Sequence, residues 1–265
     1  MKRVAIIQAR MGSSRLPNKI LMPVLGKPML GWMLERVALC THVSQIVVAT
    51  TTHERDDAVE RFVLEQGHTV FRGDEEDVLE RYYQAAVAVN ADVVIRLTSD
   101  CPLLDTSVLS SMISAFHDKK VDFLSNSEPL PSTWPDGMDV SIFSFSALEQ
   151  AANHAKKPSE REHVTFYFWN HPDIFRCEKI EHIPDWSKYR VTLDYAEDYE
   201  LIKRVITHFG AENHAAVCKI TMNQIVHYLD TNPDTFALNA RFSQGIGWKN
   251  AFDRDAQQVI NGLKK

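Results

Sequence analysis

The stretch QARMGSSRLPNK at 8–19 gathers Arg10, Arg15 and Lys19 around Gly12, Ser13 and Ser14, directly after the apolar run Val4, Ala5, Ile6, Ile7. Small residues let a backbone approach a ligand closely, so its N–H groups can point at phosphate oxygens. Arginine adds forked donors and lysine a point charge, the usual pairing for a polyphosphate. These residue types make the loop a candidate anion site, with a solvated basic surface loop as the alternative. Neither GxxxxGKS/T nor GxGxxG occurs, which removes the P-loop and dinucleotide fingerprints.

Two carboxylates could complete such a site. Asp100, in RLTSDCPLLD at 96–105, follows an apolar run that reads as a buried strand. A carboxylate at the C-terminal end of such a strand can hold Mg2+ between protein and phosphates. It can equally serve as a turn or capping aspartate before Pro102. Asp194, in RVTLDYAEDYEL at 190–201, repeats the arrangement and could share a metal with Asp100. There too a local alternative stands, because Asp194, Glu197 and Asp198 suit a helix N-terminus. In GDEEDVLERYYQAA, 73–86, Glu75, Glu76 and Asp77 read as the acidic opening of a helix, with Arg81 a further candidate for ligand contact. SEREHVTFYFWNHP, 159–172, puts Arg161, Glu162 and His163 before an aromatic helix. No G-x-S-x-G surrounds that histidine, so a serine hydrolase is not indicated.

These loops need a scaffold, and the hydrophobic patterning supplies one. Strands are expected at 3–8, 45–49, 69–71, 93–97 and 122–124, alternating with amphipathic helices at 28–39, 55–66, 76–89 and 107–116. Such alternation argues for a parallel sheet covered by helices on both faces. Ligands bind outside the carboxyl ends of strands in sheets of this kind, which is where 9–19 and 98–100 fall. Beyond 124 the pattern changes. NSEPLPSTWPDG, 126–137, reads as a long functional loop rich in proline. Strands follow at 139–143, 175–180 and 190–193, with helices at 145–155, 160–169, 197–209 and 222–229, then a weakly patterned tail.

The chain has 265 residues, 45% hydrophobic and 24% charged, with a net charge of -6. No overall basic field points to nucleic acid, so any anion site is a local concentration of arginine and lysine. Cys40, Cys101, Cys177 and Cys218 stand far apart with no C-x-x-C, which argues against a zinc or disulfide framework. The first apolar run is too short for a signal-peptide core and nothing approaches a membrane span, so a cytoplasmic protein is expected.

IIQARMGSSRLPNKIL, RLTSDCPLLD, DGMDVSIFS, EREHVT and RVTLDYAEDYEL occur in the order found in the cytidylyltransferase superfamily. The chain resembles the CMP-KDO and CMP-acylneuraminate synthetases, and most of all the spore coat polysaccharide biosynthesis protein F branch. The resemblance covers nearly the whole chain, least diagnostically from about 211 onward. It implies an α/β, Rossmann-like nucleotidyltransferase (GT-A-like) fold, a three-layer sandwich with a mostly parallel mixed sheet. A nucleotidyltransferase domain at 1–210 would carry a C-terminal helical extension, 211–265, packed on the same domain. CTP and an acidic sugar are the implied substrates and Mg2+ the implied cofactor, with a possible homodimer, also suggested by exposed-looking aromatics at 164–169. By motif match, Arg10, Gly12, Ser13, Ser14, Arg15 and Lys19 would hold the nucleotide phosphates, and Asp100 and Asp194 the metal. Arg10, Lys19 and Asp100 would be catalytic; Asp139 and Glu162 lie in family-like segments without assigned roles. Many relatives carry Thr and Gly where this chain has Ser14 and Asn18, and Asn tolerates unusual φ better than most residues. Two other readings are a metal-dependent nucleotide-sugar glycosyltransferase and a non-catalytic nucleotide-binding protein. The first would favour an x-D-x-D pair, whereas the stretch at Asp100 has one aspartate.

Overall fold

Continuous β-branched and apolar runs, buried on both faces, make the central strands of this computed structural model, which describes residues 1–211, 213–245 and 255. In chain order the strands are β1 (Arg3–Gln8), the short hairpin β2 (Pro23–Val24) and β3 (Lys27–Pro28), β4 (Gln45–Thr51), β5 (Thr69–Gly73), β6 (Val93–Thr98), β7 (Phe123–Ser125), β8 (Ser141–Ser144) and β9 (Cys177–Lys179). The helices are α1 (Met29–Ala38), α2 (Asp57–Glu65), α3 (Val78–Ala88), α4 (Thr106–Lys119), α5 (Phe145–His154), α6 (Pro158–His163), α7 (Phe166–Asn170), α8 (Ala196–Gly210), α9 (His214–Val217), α10 (Met222–Thr231) and α11 (Pro233–Phe236). Seven strands form one sheet in the order β5-β4-β1-β6-β8-β7-β9. It is mostly parallel, with β8 antiparallel to both neighbours, as the sequence reading expected.

Alternate residues of β1 feed opposite cores. Ala5 and Ile7 pack with α1, α4, α8 and α10, while Val4 and Ile6 pack with α3 and α5. The three layers therefore follow from strand periodicity and from helices with one apolar face each. From β1 the chain moves to β4 and β5 on one side, then returns to place β6 on the other. That reversal is the topological switch point of the sheet, where a crevice opens between the loops after β1 and β6. Gln8 pairs with Thr98 at the ends of the two strands, so 9–19 and 99–105 begin side by side.

Three local expectations are corrected. The strand expected at 190–193 does not form; Arg190 makes an isolated parallel bridge with Asp136, and the Leu193 N–H donates to Asp100 O at 2.8 Å. Its β-branched residues are divided between two loops, so no continuous ladder can build. The helix expected at 160–169 is two short helices, because Val164 has φ 58 and interrupts the hydrogen-bond series. The aromatics at 164–169 that looked exposed are largely core: Phe166 and Phe168 are fully buried, and Phe168 stacks on Phe123 and Phe143.

Gly137 sits at φ +106, and a Cβ there would lie 2.6 Å from Thr192 N and Val191 C. Only glycine lets 136–138 lie against 190–192, with Asp136 N donating to Tyr189 O at 3.0 Å and Val191 N to Asp136 O at 2.7 Å. Residues 211 and 213–245 pack onto the helical face that includes α1 and α8. Val217, Ile220, Ile225 and Leu229 join the core there, and buried Arg36 donates to Leu104 O at 2.8 Å and Ile220 O at 2.6 Å. The rest of the expected C-terminal extension lies outside the described residues.

Candidate active site

The backbone of 9–19 turns back from β1 and drops Lys19 beneath the crevice. Asn18 makes that turn in the left-handed region, at φ 61 and ψ 12, and Ser13 Oγ accepts from Leu16 N at 3.3 Å. Lys19 is buried; its Nζ donates to Leu193 O at 2.6 Å and Asp194 at 2.9 Å, and lies 3.6 Å from Asp100. The ammonium thus joins the loop after β1 to both carboxylates singled out in the sequence. Burial disfavours its charge, but Asp100 and Asp194 outweigh burial and raise its pKa.

Asp194 is the most neutralised carboxylate of the site. Arg15 Nη2 stands 2.7 Å from it, Lys19 2.9 Å and Arg190 Nη2 3.3 Å. Burial opposes its ionisation, yet Lys19 and Arg15 hold its carboxyl well below the usual range. Arg190 is itself locked by Asp198, at 3.0 Å through both Nε and Nη2, and by Asp136. Asp198 also accepts from the N–H groups of Asp194 at 2.8 Å and Tyr195 at 2.9 Å. Asp194 therefore projects from the start of α8, an acidic helix opening that also serves the site.

Two adjoining cavities meet at Arg15, Asp100 and Asp194. One, of about 360 Å³, is lined by Arg10, Gly12, Ser13, Ser14 and Lys19, with Arg81, Glu162 and His163 opposite. The other, of about 230 Å³, is lined by Arg96, Glu128, Ser132, Asp136, Asp139 and Thr192. Basic and small residues dominate the first and carboxylates the second. Every phosphate-site candidate of 9–19 lines the first cavity. Arg10 does so while bound at 2.9 Å to Glu75, which also pairs with Arg55 and His53. Glu75 was expected to act on a helix dipole; instead it steers Arg10. Asp77 does cap α3, and Arg161 grips it at 2.9 Å from α6, so Arg161 is structural.

Mg2+ takes oxygen ligands, commonly one or two carboxylates completed by water and substrate phosphates. Asp100 and Asp194, oxygen donors on either side of one ammonium, fit that requirement. Among the described residues no group of three or more His, Cys, Asp or Glu forms a self-sufficient metal cage.

A switch-point crevice with a basic loop on one strand and an aspartate on the next narrows the family, and comparison with known proteins decides it. The cytidylyltransferase family model matches residues 4–225. The chain belongs to the cytidylyltransferase family. The chain is 34% identical to the spore coat polysaccharide biosynthesis protein SpsF of Bacillus subtilis, over 86% of this chain and 94% of that one. It superposes on a cytidylyltransferase from Leptospira borgpetersenii with a TM-score of 0.82 at 36% identity, covering 89% of this chain and 97% of that one. A CMP-2-keto-3-deoxy-manno-octonic acid synthetase solved with CTP shares the fold, with a TM-score of 0.58 at 19% identity over 78% and 99% of the two chains.

The sequence patterns did not single out Arg96, Glu128, Asp136 and Arg190, all of which line the second cavity. One signal was available: Arg96 interrupts an otherwise apolar strand, VVIRLT, and a charge there is costly unless it is used. His163 lines both cavities; burial and the nearby Arg96 push its pKa down to about 4, so the ring is neutral at pH 7.

The second cavity stores electrostatic strain. Burial, with Asp136, Asp100 and Glu128 nearby, raises the Asp139 pKa well above the carboxylate range, and Asp136 is pushed up to about 7. In an unfolded chain such a group titrates near 3.9. Between the two values the folded state binds the extra proton, so Asp139 costs stability as pH rises through its folded pKa. Asp139→Asn removes this cost. The variant is expected to melt at a higher temperature than the native protein at pH 8, with the gap closing toward pH 4. Thermal melts across that range check it, and a constant gap would contradict it.

Proposed function

We propose that this chain transfers the cytidylyl group of CTP to a hydroxyl of an acidic sugar, releasing pyrophosphate, as a cytoplasmic step of surface polysaccharide synthesis. The observation that carries this is the placement of the basic loop 9–19 against Asp100 and Asp194 across the β1/β6 switch point. The acceptor oxygen forms a bond to the α-phosphorus while the bond from that phosphorus to the β-bridging oxygen breaks. Pyrophosphate departs with the bridging oxygen, and the hydroxyl proton passes to solvent.

Gly12, Ser13 and Ser14 bring backbone donors close to the phosphate oxygens. Arg10 and Arg15 offset charge building on the α-phosphate and the leaving group. Lys19 sets the spacing of Asp100 and Asp194 and adds positive charge beneath the phosphates. Asp100 and Asp194 would hold Mg2+, which when bound offsets phosphate charge and lowers the pKa of a nearby hydroxyl. Positioning and electrostatics suffice, without a covalent intermediate.

The test is a pyrophosphate-release assay with CTP, Mg2+ and a panel of sugar acids. Release dependent on one acid, and far slower with UTP or ATP, is the expected result. CTP binding by calorimetry without release across the panel would overturn the proposal in favour of a non-catalytic nucleotide-binding protein.

A further inference from the structure

Arg96 lies on β6, two residues before Thr98 at the strand's end, and Arg96, Thr98 and Asp100 all line the smaller cavity. It is 9% exposed, and its Nε is buried with no hydrogen-bond partner. Among the described residues its ion pair is with Glu128 at 3.8 Å, too long for a hydrogen bond. Glu128 is 6% exposed, and its Oε2 also lacks a partner. The other guanidiniums of this cavity are committed: Arg190 to Asp198 and Asp136, and Arg15 to Asp194. A buried guanidinium with unfilled donors is costly unless a ligand satisfies it.

Resting on the cytidylyl-transfer reading above, we propose that Arg96 is the acceptor-binding residue of the smaller cavity and takes the carboxylate of the sugar acid by paired N–H donors. A planar guanidinium matches a carboxylate in geometry. Phosphate could use the same donors, and the phosphate arm of the test below separates the two. The two-residue step from Arg96 to Thr98 spans about 7 Å along the strand. Two residues apart on one strand, their side chains stand on the same face, and both border the smaller cavity. With its carboxylate on Arg96, the acceptor directs a hydroxyl toward Asp100 and the phosphates. Glu128 holds the guanidinium in place without filling its donors.

The test compares the native protein with Arg96→Lys, Arg96→Gln and the double variant Arg96→Gln/Glu128→Gln, which leaves no buried unpaired carboxylate at this position. The probes are 3-deoxy-manno-octulosonic acid and N-acetylneuraminic acid, with glucose 1-phosphate as the phosphate arm. Loss of a charged, paired hydrogen bond is expected to raise the KM for the sugar acid by about 10- to 100-fold. The KM for CTP should stay unchanged, and Arg96→Lys should recover part of the loss. A merely structural arginine would instead change CTP binding and kcat together. Native KM for the acid in Arg96→Lys and the double variant overturns the assignment while leaving cytidylyl transfer standing. Turnover of the sugar phosphate in preference to the acids overturns the carboxylate assignment. No pyrophosphate release with any acid, in a native protein that binds CTP, overturns the transfer reading and this assignment with it.

Discussion

Asp100→Ala is expected to lose turnover by about 10³-fold or more, the scale of removing a charge-stabilising group from a transition state, while the fold survives. The side chain is 29% exposed, and its ion pair with Lys19 is 3.6 Å long. Partly exposed pairs of this kind contribute about 0–1 kcal/mol. The structural work of the residue belongs to its backbone: Asp100 O accepts from Leu193 N at 2.8 Å and Thr192 Oγ1 at 3.2 Å, and alanine keeps that carbonyl. Melting temperature and CTP affinity measured without Mg2+ should therefore stay near native, while pyrophosphate release disappears. Full turnover in this variant would refute both the catalytic assignment and the metal assignment of Asp100.

Lys19→Met should fail on both counts, losing turnover and about 3 kcal/mol of stability, the lower end of the range for breaking a buried pair. The lower side applies because Asp194 keeps Arg15 at 2.7 Å and Arg190 at 3.3 Å after the ammonium is removed. The pH dependence has a definite sign. Asp194 has a depressed folded pKa against a usual value of 3.8, so its contribution is present above that value and is lost as pH falls through the folded one. Lys19 has a raised folded pKa against 10.5, so its contribution is present below that value and is lost as pH rises past the folded one. The gap between native protein and variant should be flat from about pH 5 to 9 and shrink in acid. Urea titrations at pH 7, 5 and 3 measure it. A gap that widens in acid would contradict the pairing.

The two variants separate roles that the sequence presents together. Arg10, Arg15 and Lys19 look equivalent in QARMGSSRLPNK, but folding sends them to different places. Arg10 remains at the rim under the control of Glu75, Arg15 reaches Asp194 across the crevice, and Lys19 goes under it. Asp100 and Asp194 likewise share a local pattern, yet one is lightly partnered and the other is surrounded by cations. Asp198 was legible as an acidic helix start. Its grip on Arg190 was not, nor was the bond from Asn239 Nδ2 to Asp198 at 2.8 Å.

Apolar runs and helical patterning determined the layered, mostly parallel sheet, the positions of the large elements from β1 to β7, and the basic loop at a strand's carboxyl end. Those are local properties: a short continuous run of β-branched and apolar residues makes a strand buried on both faces, and small and charged residues after it make an open turn. The tertiary structure decided everything that depends on closure over long separations. Lys19 meets Leu193 across 174 residues, and Gly137 admits the close backbone contact that places Arg190 beside Asp136 and Asp194. It also buried Phe166 and Phe168, left Arg96 with unfilled donors, and kept 190–193 from forming a strand. A residue's neighbours in sequence govern its backbone, but its charge and hydrogen-bonding state are set by groups that only folding brings within a few ångströms.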